Sequence, residues 1–367
     1  MTKPADNKPI LLLGAYGRGN AGDDVFLHAA LELFKDKKIY INAAYDDLLP
    51  DVAKGNVHTL STMGHKDILA KLKLYFRIKE VVYWGGDLWV ELYGAKRPKQ
   101  LLYKMIVLNV VFRLSGKKIW YVGCGIGKLH GYPLFLARLS ARLARKIVVR
   151  ESRSAKVLGL KNIEVLPDIA INLPFNKSVH HALPKKRPFT IVVSVLHSIP
   201  NKPKNFPKLI SSIAKLINSL PEDKFKVIVL PMHVTEAEEN DDLWASEQMM
   251  KLVKHKNTVL SHERELKNIV AMLCESDLVI GSRLHTNILA AINGTPCIGI
   301  AYRPKVRSFF VDNNLGDYCV DITEVEKVPE IFQRLYKDYN NIGDAFYEAS
   351  RQMLSKRAAY KALVKEI

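Results

Sequence analysis

The chain has 367 residues, 48% apolar and 25% charged, with 55 Lys and Arg against 37 Asp and Glu and a formal net charge of +18 at pH 7. That length suits two domains, each large enough to bury its own core, and the ordinary apolar and charged fractions exclude a disordered or collagen-like chain. The basic excess is compatible with three partner classes: a nucleic acid, an acidic membrane surface or an anionic substrate.

The N-terminal MTKPADNKPILLLG lacks the long apolar core of a signal peptide, so the expected location is cytoplasmic. Ile10–Gly14 reads as the first strand. The loop after it, GAYGRGNAGDDVFLHAAL, contains Gly17-x-Gly19-x-x-Gly22, a literal dinucleotide fingerprint, with Asp46 and Asp47 after the next strand. Two features count against a dinucleotide. Gly17 stands three residues beyond Gly14, which makes the turn too long. Asp23 and Asp24 occupy the helix start where a pyrophosphate would rest; carboxylates cap a helix there but repel phosphate.

Further strands are expected at Ile39–Ala43, Val81–Trp84, Ile119–Val122 and Ile147–Arg150, separated by segments long enough for crossovers, so a parallel sheet follows. Asp67–Lys79 and Leu136–Lys146 mix Leu, Phe and Tyr with Lys and Arg. Such helices can lie on an anionic membrane surface; the competing reading is a solvated helix packed on its own domain. The apolar run near Leu101–Leu114 is interrupted by Lys104 and Arg113 and is too short to span a bilayer. The polar, proline-bearing Pro174–Pro188 breaks the pattern. It places a linker at 176–188 between a first domain over 1–175 and a second over 189–341.

The second half restarts with strands at Thr190–Val195, Lys226–Leu230, Thr258–Leu260, Leu278–Gly281, Cys297–Ala301 and Tyr318–Asp321. Residues 342–367 read as a helical tail. Cys124, Cys274, Cys297 and Cys319 show no zinc-ligand spacing and are expected as free core thiols. The fold class is thus α/β, with two Rossmann-like domains built on mostly parallel sheets.

The most informative stretch is LVIGSRLHTNILAAINGTPCIGIAYRPK, residues 278–305. A buried strand hands over to a helix at Gly281, with Ser282 as the expected N-cap; Gly294 and Pro296 end the helix and a second strand follows. Arg283 and His285 therefore lie at a helix N-terminus, where free N–H groups and the helix dipole suit an anion. Tyr302 and Lys305 follow the next strand, and strand ends are where α/β sheets bind ligands.

These residues carry a family resemblance. S-R-L-H, a small-residue helix, G-T-P and an I-x-Y-x-P-K run resemble the polysaccharide pyruvyl transferases, which are similar in architecture to two-domain GT-B glycosyltransferases. The first loop resembles the family's G-x-x-G-x-x-N-x-G-D-E pattern through Gly14, Gly17, Asn20, Gly22, Asp23 and Asp24, with Asp24 for the usual Glu. Trp84–Glu91, including Gly86 and Asp87, resembles its glycine-rich loop, with Asp87 replacing a third glycine. Val122–Leu129 resembles G-x-G-I-G-P-L with Lys128 for proline. Val149–Gly159 resembles R-D-x-x-S with Glu151 for Asp, and Leu166–Ile169 resembles a D-x-A turn. Val193–Pro200 departs: many relatives carry an arginine after the Ser-Val pair, where this chain has Leu196 and His197. Leu230–Val234 resembles another family loop, with His233 either lining the site or structural.

The resemblance implies phosphoenolpyruvate as donor and a glycan, free or lipid-linked, as acceptor. A phosphate and a carboxylate on one small donor call for several guanidinium or ammonium groups; Arg283, Arg150 and Lys305 are the candidates, with Ser282 and Tyr302 beside them. His285 is the candidate proton donor to the enol carbon, and Asp23 the candidate base for an acceptor hydroxyl, the alternative being that Asp23 only caps its helix. Gly17, Asn20, Gly22, Asp24, Gly86 and Asp87 are the candidate acceptor residues. The scheme needs no cofactor and no metal. Two other classes stay open: a nucleotide-sugar glycosyltransferase on the same scaffold, and a nucleic-acid-binding protein, for which no motif is present.

Overall fold

The computed structural model describes residues 9–43, 49, 51–53, 57–59, 68–89, 98–184, 186–197, 205–235 and 241–367. Asp46, Asp47, Glu91 and residues 198–200 lie outside them. The chain divides into two compact units: 1–18, 23–173 and 356–367 form the first, and 19–22 with 174–355 the second.

The first unit is built on β1 (Ile10–Tyr16), β2 (Ile39–Ala43), β3 (Val57–Thr59), β4 (Glu80–Trp84), β5 (Asp87–Leu88), β6 (Lys118–Ile126), β7 (Lys146–Val149) and β8 (Ile163–Val165). The sheet order is β3-β2-β1-β4-β6-β7-β8, with β5 beside β6, and every pairing is parallel. Strands buried on both faces read as apolar runs rather than alternations, which is why β4 is buried at every position. The order runs one way from β1 to β3 and the other way from β4 to β8, so a topological switch point lies between β1 and β4.

Helices α1 (Ala21–Leu33), α2 (Ile68–Arg77), α3 (Pro98–Leu114), α4 (Gly131–Arg142) and α5 (Ser152–Leu158) connect these strands. The buried Lys117 ammonium ties down the C-terminal end of α2 by donating to the Tyr75 and Ile78 carbonyls, which supplies the cation that a helix C-terminus favours.

The second unit repeats the architecture with β9 (Phe189–Ser194), β10 (Phe225–Val229), β11 (Thr258–Leu260), β12 (Leu278–Gly281), β13 (Cys297–Ala301) and β14 (Cys319–Asp321). Their order, β11-β10-β9-β12-β13-β14, is again wholly parallel and switches direction between β9 and β12. Its helices are α6 (Asn205–Asn218), α7 (Asp242–Met250), α8 (Leu266–Glu275), α9 (Leu284–Ile292), α10 (Pro304–Asp312), α11 (Val328–Lys337) and α12 (Tyr339–Ser355).

The segment expected as a linker is a strap on this second unit. Val179 N–H donates to the Asn293 carbonyl at 2.9 Å, Lys177 N–H to Asn293 Oδ1 at 2.7 Å, and Ser178 and Ser350 hydroxyls meet at 2.9 Å. A chain with its backbone groups paired in this way is fixed structure, whatever its composition. The last helix, α13 (Arg357–Glu366), is counted with the first unit, where Tyr360 O–H donates to the Pro167 carbonyl at 2.7 Å and Arg357 Nε to that of Ile171 at 2.5 Å. All four cysteines are free thiols.

Candidate functional site

In each unit the sequence-selected residues gather beyond the C-terminal ends of the strands. In the second unit they gather at the switch point. Gly281, the last residue of β12, lies in register with Ser194, the last of β9. Arg283, not Ser282, is the N-cap of α9; its extended backbone (φ −78°, ψ 135°) precedes the first helical residue, Leu284. Ser282 is fully buried and donates its hydroxyl to the Ser194 carbonyl at 3.1 Å. It fastens β12 to β9, which explains why it leaves the cap to Arg283.

The Arg283 guanidinium is gripped by Asp242, the first residue of α7: Nε donates to Oδ2 at 2.8 Å and Nη2 to Oδ1 at 2.6 Å. Asp242 is fully buried, whereas the Arg283 side chain keeps 17% of its surface exposed. Burial pushes the Asp242 carboxyl up from its ordinary value, and the Arg283 charge opposes it. Asp242 also accepts from His233 N–H at 3.1 Å, so one buried carboxylate organises both the arginine and the 230–234 loop. Sequence reading missed it. Two adjacent aspartates at a helix start look like caps, and Asp241 is one, accepting from Leu243 N–H at 2.8 Å.

The tip of the first glycine loop, residues 19–22, belongs to this same unit. Asn20 bridges His233 in antiparallel fashion, and Ala21 N–H donates to the Met232 carbonyl at 2.9 Å. Asn20 Oδ1 accepts from Gly22 N–H at 2.9 Å. A Cβ on Gly22 would fall 2.3 Å from His285 Nδ1. Gly22 is thus required by the close approach of His285, which sits in the first turn of α9. The structure therefore brings Asn20 and Gly22, expected on the acceptor side, together with the donor candidates Arg283 and His285. Tyr302 directly follows the neighbouring strand β13, and Lys305 lies in the first turn of α10; both are half-buried. His197 forms an aromatic group with Trp244, ring centroids 4.5 Å apart, and Phe206, at 4.9 Å, while Phe206 and Trp244 stack at 5.6 Å.

In the first unit, the segments that carry Asp87, Gly125 and Asp168 converge on Arg150. Its Nη2 donates to Asp87 Oδ1 at 2.5 Å and its Nη1 to Asp168 Oδ2 at 3.1 Å, with 3% of the side chain exposed. Asp168 also caps the turn at 169–172 through Ala170 N–H at 3.0 Å. A Cβ on Gly125 would meet Asp87 Oδ1 at 2.8 Å and Arg150 Nη2 at 2.9 Å. Arg150, expected to bind a donor anion, is held by two carboxylates of its own unit. The charges of Asp87 and Asp168 hold Arg150 above its ordinary range despite burial.

Gly17 (φ +65°) and Gly86 (φ +74°) adopt left-handed backbone, open to L side chains only at a cost. Asp23 and Asp24 form the acidic first turn of α1. Burial raises Asp24 to about 7, with the neighbouring Asp23 charge adding to the effect, and its Oδ1 is buried without a hydrogen-bond partner among the described residues. The sequence suggested Asp23 as the base; its neighbour Asp24 carries the raised carboxyl. Among the described residues no group of three His, Cys, Asp or Glu could hold a metal ion.

Comparison with known proteins follows the same outline. The family model for polysaccharide pyruvyl transferase matches residues 20–304. The amylovoran biosynthesis protein AmsJ of Erwinia amylovora is 24% identical over 276 residues; the alignment spans 69% of this chain and 63% of that relative, less than two thirds of its length. Among solved structures, HepE of Anabaena in complex with UDP-glucose has a TM-score of 0.60 at 12% identity, covering 98% of each chain. UDP-GlcNAc 2-epimerase of Neisseria meningitidis bound to UDP-GlcNAc has a TM-score of 0.58 at 15% identity, covering 97% of this chain and 99% of that one. At these identities the structural likeness concerns the GT-B-like fold.

Proposed function

The chain belongs to the polysaccharide pyruvyl transferase family and is thus a transferase of polysaccharide modification; on that premise we propose that it moves the enolpyruvyl group of phosphoenolpyruvate onto two hydroxyls of a glycan, free or lipid-linked, to form a pyruvate ketal. The observation that carries the reading is Arg283, a helix N-cap at a sheet switch point, aligned by a buried carboxylate and followed two residues later by His285. Arg283, Tyr302 and Lys305 take the donor's phosphate and carboxylate, with the N-terminal N–H groups of α9 adding to the field.

The chemistry then balances as follows. His285 gives a proton to the methylene carbon, and the alkene electron pair forms the new C–H bond, leaving an oxocarbenium-like carbon. A first glycan hydroxyl adds to that carbon, losing its proton to a carboxylate of the Asp23–Asp24 pair. A second hydroxyl replaces the phosphate, which leaves with the C–O electron pair, and the proton of that hydroxyl returns to His285. Asp24, raised to about 7, suits this use because a base works best near the operating pH.

Thermal stabilisation tests the reading, since a ligand of the folded state raises the melting temperature. Phosphoenolpyruvate should shift wild type more than plain phosphate or nucleotide sugars do. The shift should be lost in Arg283→Ala and reduced in Arg283→Lys, which retains a charge for Asp242. His285→Gln should still bind the donor but lose kcat; an unchanged kcat at saturating donor removes His285 from the proton transfer. One observation favours a second reading, transfer from a nucleotide sugar: where relatives carry an arginine after the Ser-Val pair, this chain has His197 packed with Trp244 and Phe206, and aromatic faces suit a base better than a carboxylate. A shift with a nucleotide sugar alone would select it.

A further inference from the structure

Helices α3 and α4 of the first unit expose apolar surface of a kind that a water-facing helix pair does not need. In α3 the usual polarity is reversed. Its one Asn, Asn109, is fully buried, accepting from Tyr83 O–H at 2.8 Å and donating to Tyr121 Oη at 2.6 Å and Ser140 Oγ at 2.7 Å. Its outward positions are apolar instead: Leu114 is 84% exposed, Val107 63% and Val111 45%. On α4, Tyr132 and Phe135 are 51% and 56% exposed. The two helices make one patch, because Tyr103 of α3 and Tyr132 of α4 have ring centroids 6.1 Å apart and Tyr132 stacks on Phe135 at 6.3 Å. Contiguous apolar surface of this extent marks an interaction site.

Charge identifies the occupant. Between Glu91 and Glu151 the chain carries thirteen Lys and Arg and no Asp or Glu. Lys104, Arg113 and Arg142 are exposed on the same two helices. We propose that α3 and α4 dock the protein on an anionic lipid bilayer, the apolar side chains entering the headgroup boundary and the cations meeting lipid phosphates. A second copy of this chain is disfavoured by the same charges, since a self-complementary contact would bring two acid-free basic faces together. The contact is interfacial: among the described residues no helix is long and apolar enough to cross a membrane, and a helix of 17 residues with basic flanks lies in the interface plane. The patch differs from the two segments that the sequence suggested for this role. Its apolar part takes in Tyr103–Leu114, read from the sequence only as too short to span a bilayer, and the start of α4, with Arg142 the one residue it shares with Leu136–Lys146.

Co-sedimentation of the full chain with vesicles tests this, using phosphatidylcholine alone and phosphatidylcholine mixed with phosphatidylglycerol. Wild type should bind the mixed vesicles, release with salt, and ignore the neutral ones. The triple variant Val107→Glu/Leu114→Glu/Phe135→Glu changes only exposed side chains, so it should keep the wild-type melting temperature while losing vesicle affinity by about tenfold or more. Lys104→Gln/Arg113→Gln/Arg142→Gln should lose the preference for anionic lipid. Absence of wild-type binding at low salt overturns the proposal. So does binding that the apolar triple variant leaves intact, since the cations alone would then suffice. A dimer in solution that the triple variant dissociates would make a second copy the occupant and overturn it too.

Discussion

Arg150 and Arg283 each lie just beyond a parallel strand, and each is paired with a buried aspartate, yet the two units use them differently. Arg150 is enclosed by Asp87 and Asp168 with 3% of its side chain exposed, whereas Arg283 has Asp242 and keeps 17% exposed. The first guanidinium is spanned by two carboxylates, so a further anion arriving there meets their charge. The second holds its pair with Asp242 at a helix N-terminus, where an added anion gains from the dipole. An arginine after a strand is therefore not by itself a ligand signal; how much of its guanidinium stays exposed once its carboxylates have closed on it matters as much.

The largest expected effect tests the enclosed arginine. Arg150→Met leaves Asp87 and Asp168 without their counter-charge, and breaking a buried pair in this way costs about 3–5 kcal/mol. Urea unfolding should show that loss, and adding Asp87→Asn with Asp168→Asn should recover part of it. A variant that unfolds like wild type but no longer responds to phosphoenolpyruvate would make Arg150 a ligand and dissolve the contrast. Arg283→Lys is the counterpart. It should unfold close to wild type while donor affinity falls about 10–100-fold, because an ammonium cannot reproduce bidentate contact. Isothermal titration with phosphoenolpyruvate measures it.

Two glycines sharpen the comparison at smaller scale. Gly125→Ala presses on Asp87 and Arg150, and Gly22→Ala presses on His285. Overpacking of this kind costs about 1–3 kcal/mol. In Gly125→Ala the loss should appear mainly in stability. In Gly22→Ala it should appear mainly in kcat, with donor KM little changed, because the displaced group is the proposed proton donor rather than the anion ligand.

Much of this architecture was legible beforehand. Strands buried on both faces make short apolar runs that turn residues punctuate, so β2, β11, β12 and β13 were expected at the bounds they have. β3, β5 and β8, each of two or three residues, were not expected. The segment around Arg283 and His285 was readable because a strand, a cap and a small-residue helix follow one another locally. Asp242 and Asp168 were not readable as partners. Asp168 lies 18 residues from the arginine it holds and Asp242 lies 41, and neither separation has a local pattern that pairs them. The strap at 174–184 was not readable for the same reason: its composition is that of a linker, and the residues that fix it, Asn293 and Ser350 among them, lie more than a hundred residues on.

The smallest effect concerns pH and the first turn of α1. Asp24 is raised from 3.8 to about 7 by burial, with Asp23 adding to it. The folded state thus holds a proton that the unfolded chain releases earlier. The sign follows: this contribution to stability is full below about pH 4 and is lost as pH rises through about 7. Asp24→Asn, which cannot ionise, should melt higher than wild type above pH ~8 by about 1–2 kcal/mol, less than full linkage because the carboxyl is only partly buried, and the gap should close in acid. Activity should move the opposite way. If Asp24 serves as the base, the acid limb of the wild-type kcat profile reports its ionisation, and Asp24→Asn flattens that limb as it lowers the rate. A variant that gains stability at high pH but keeps the acid limb would return the base role to Asp23.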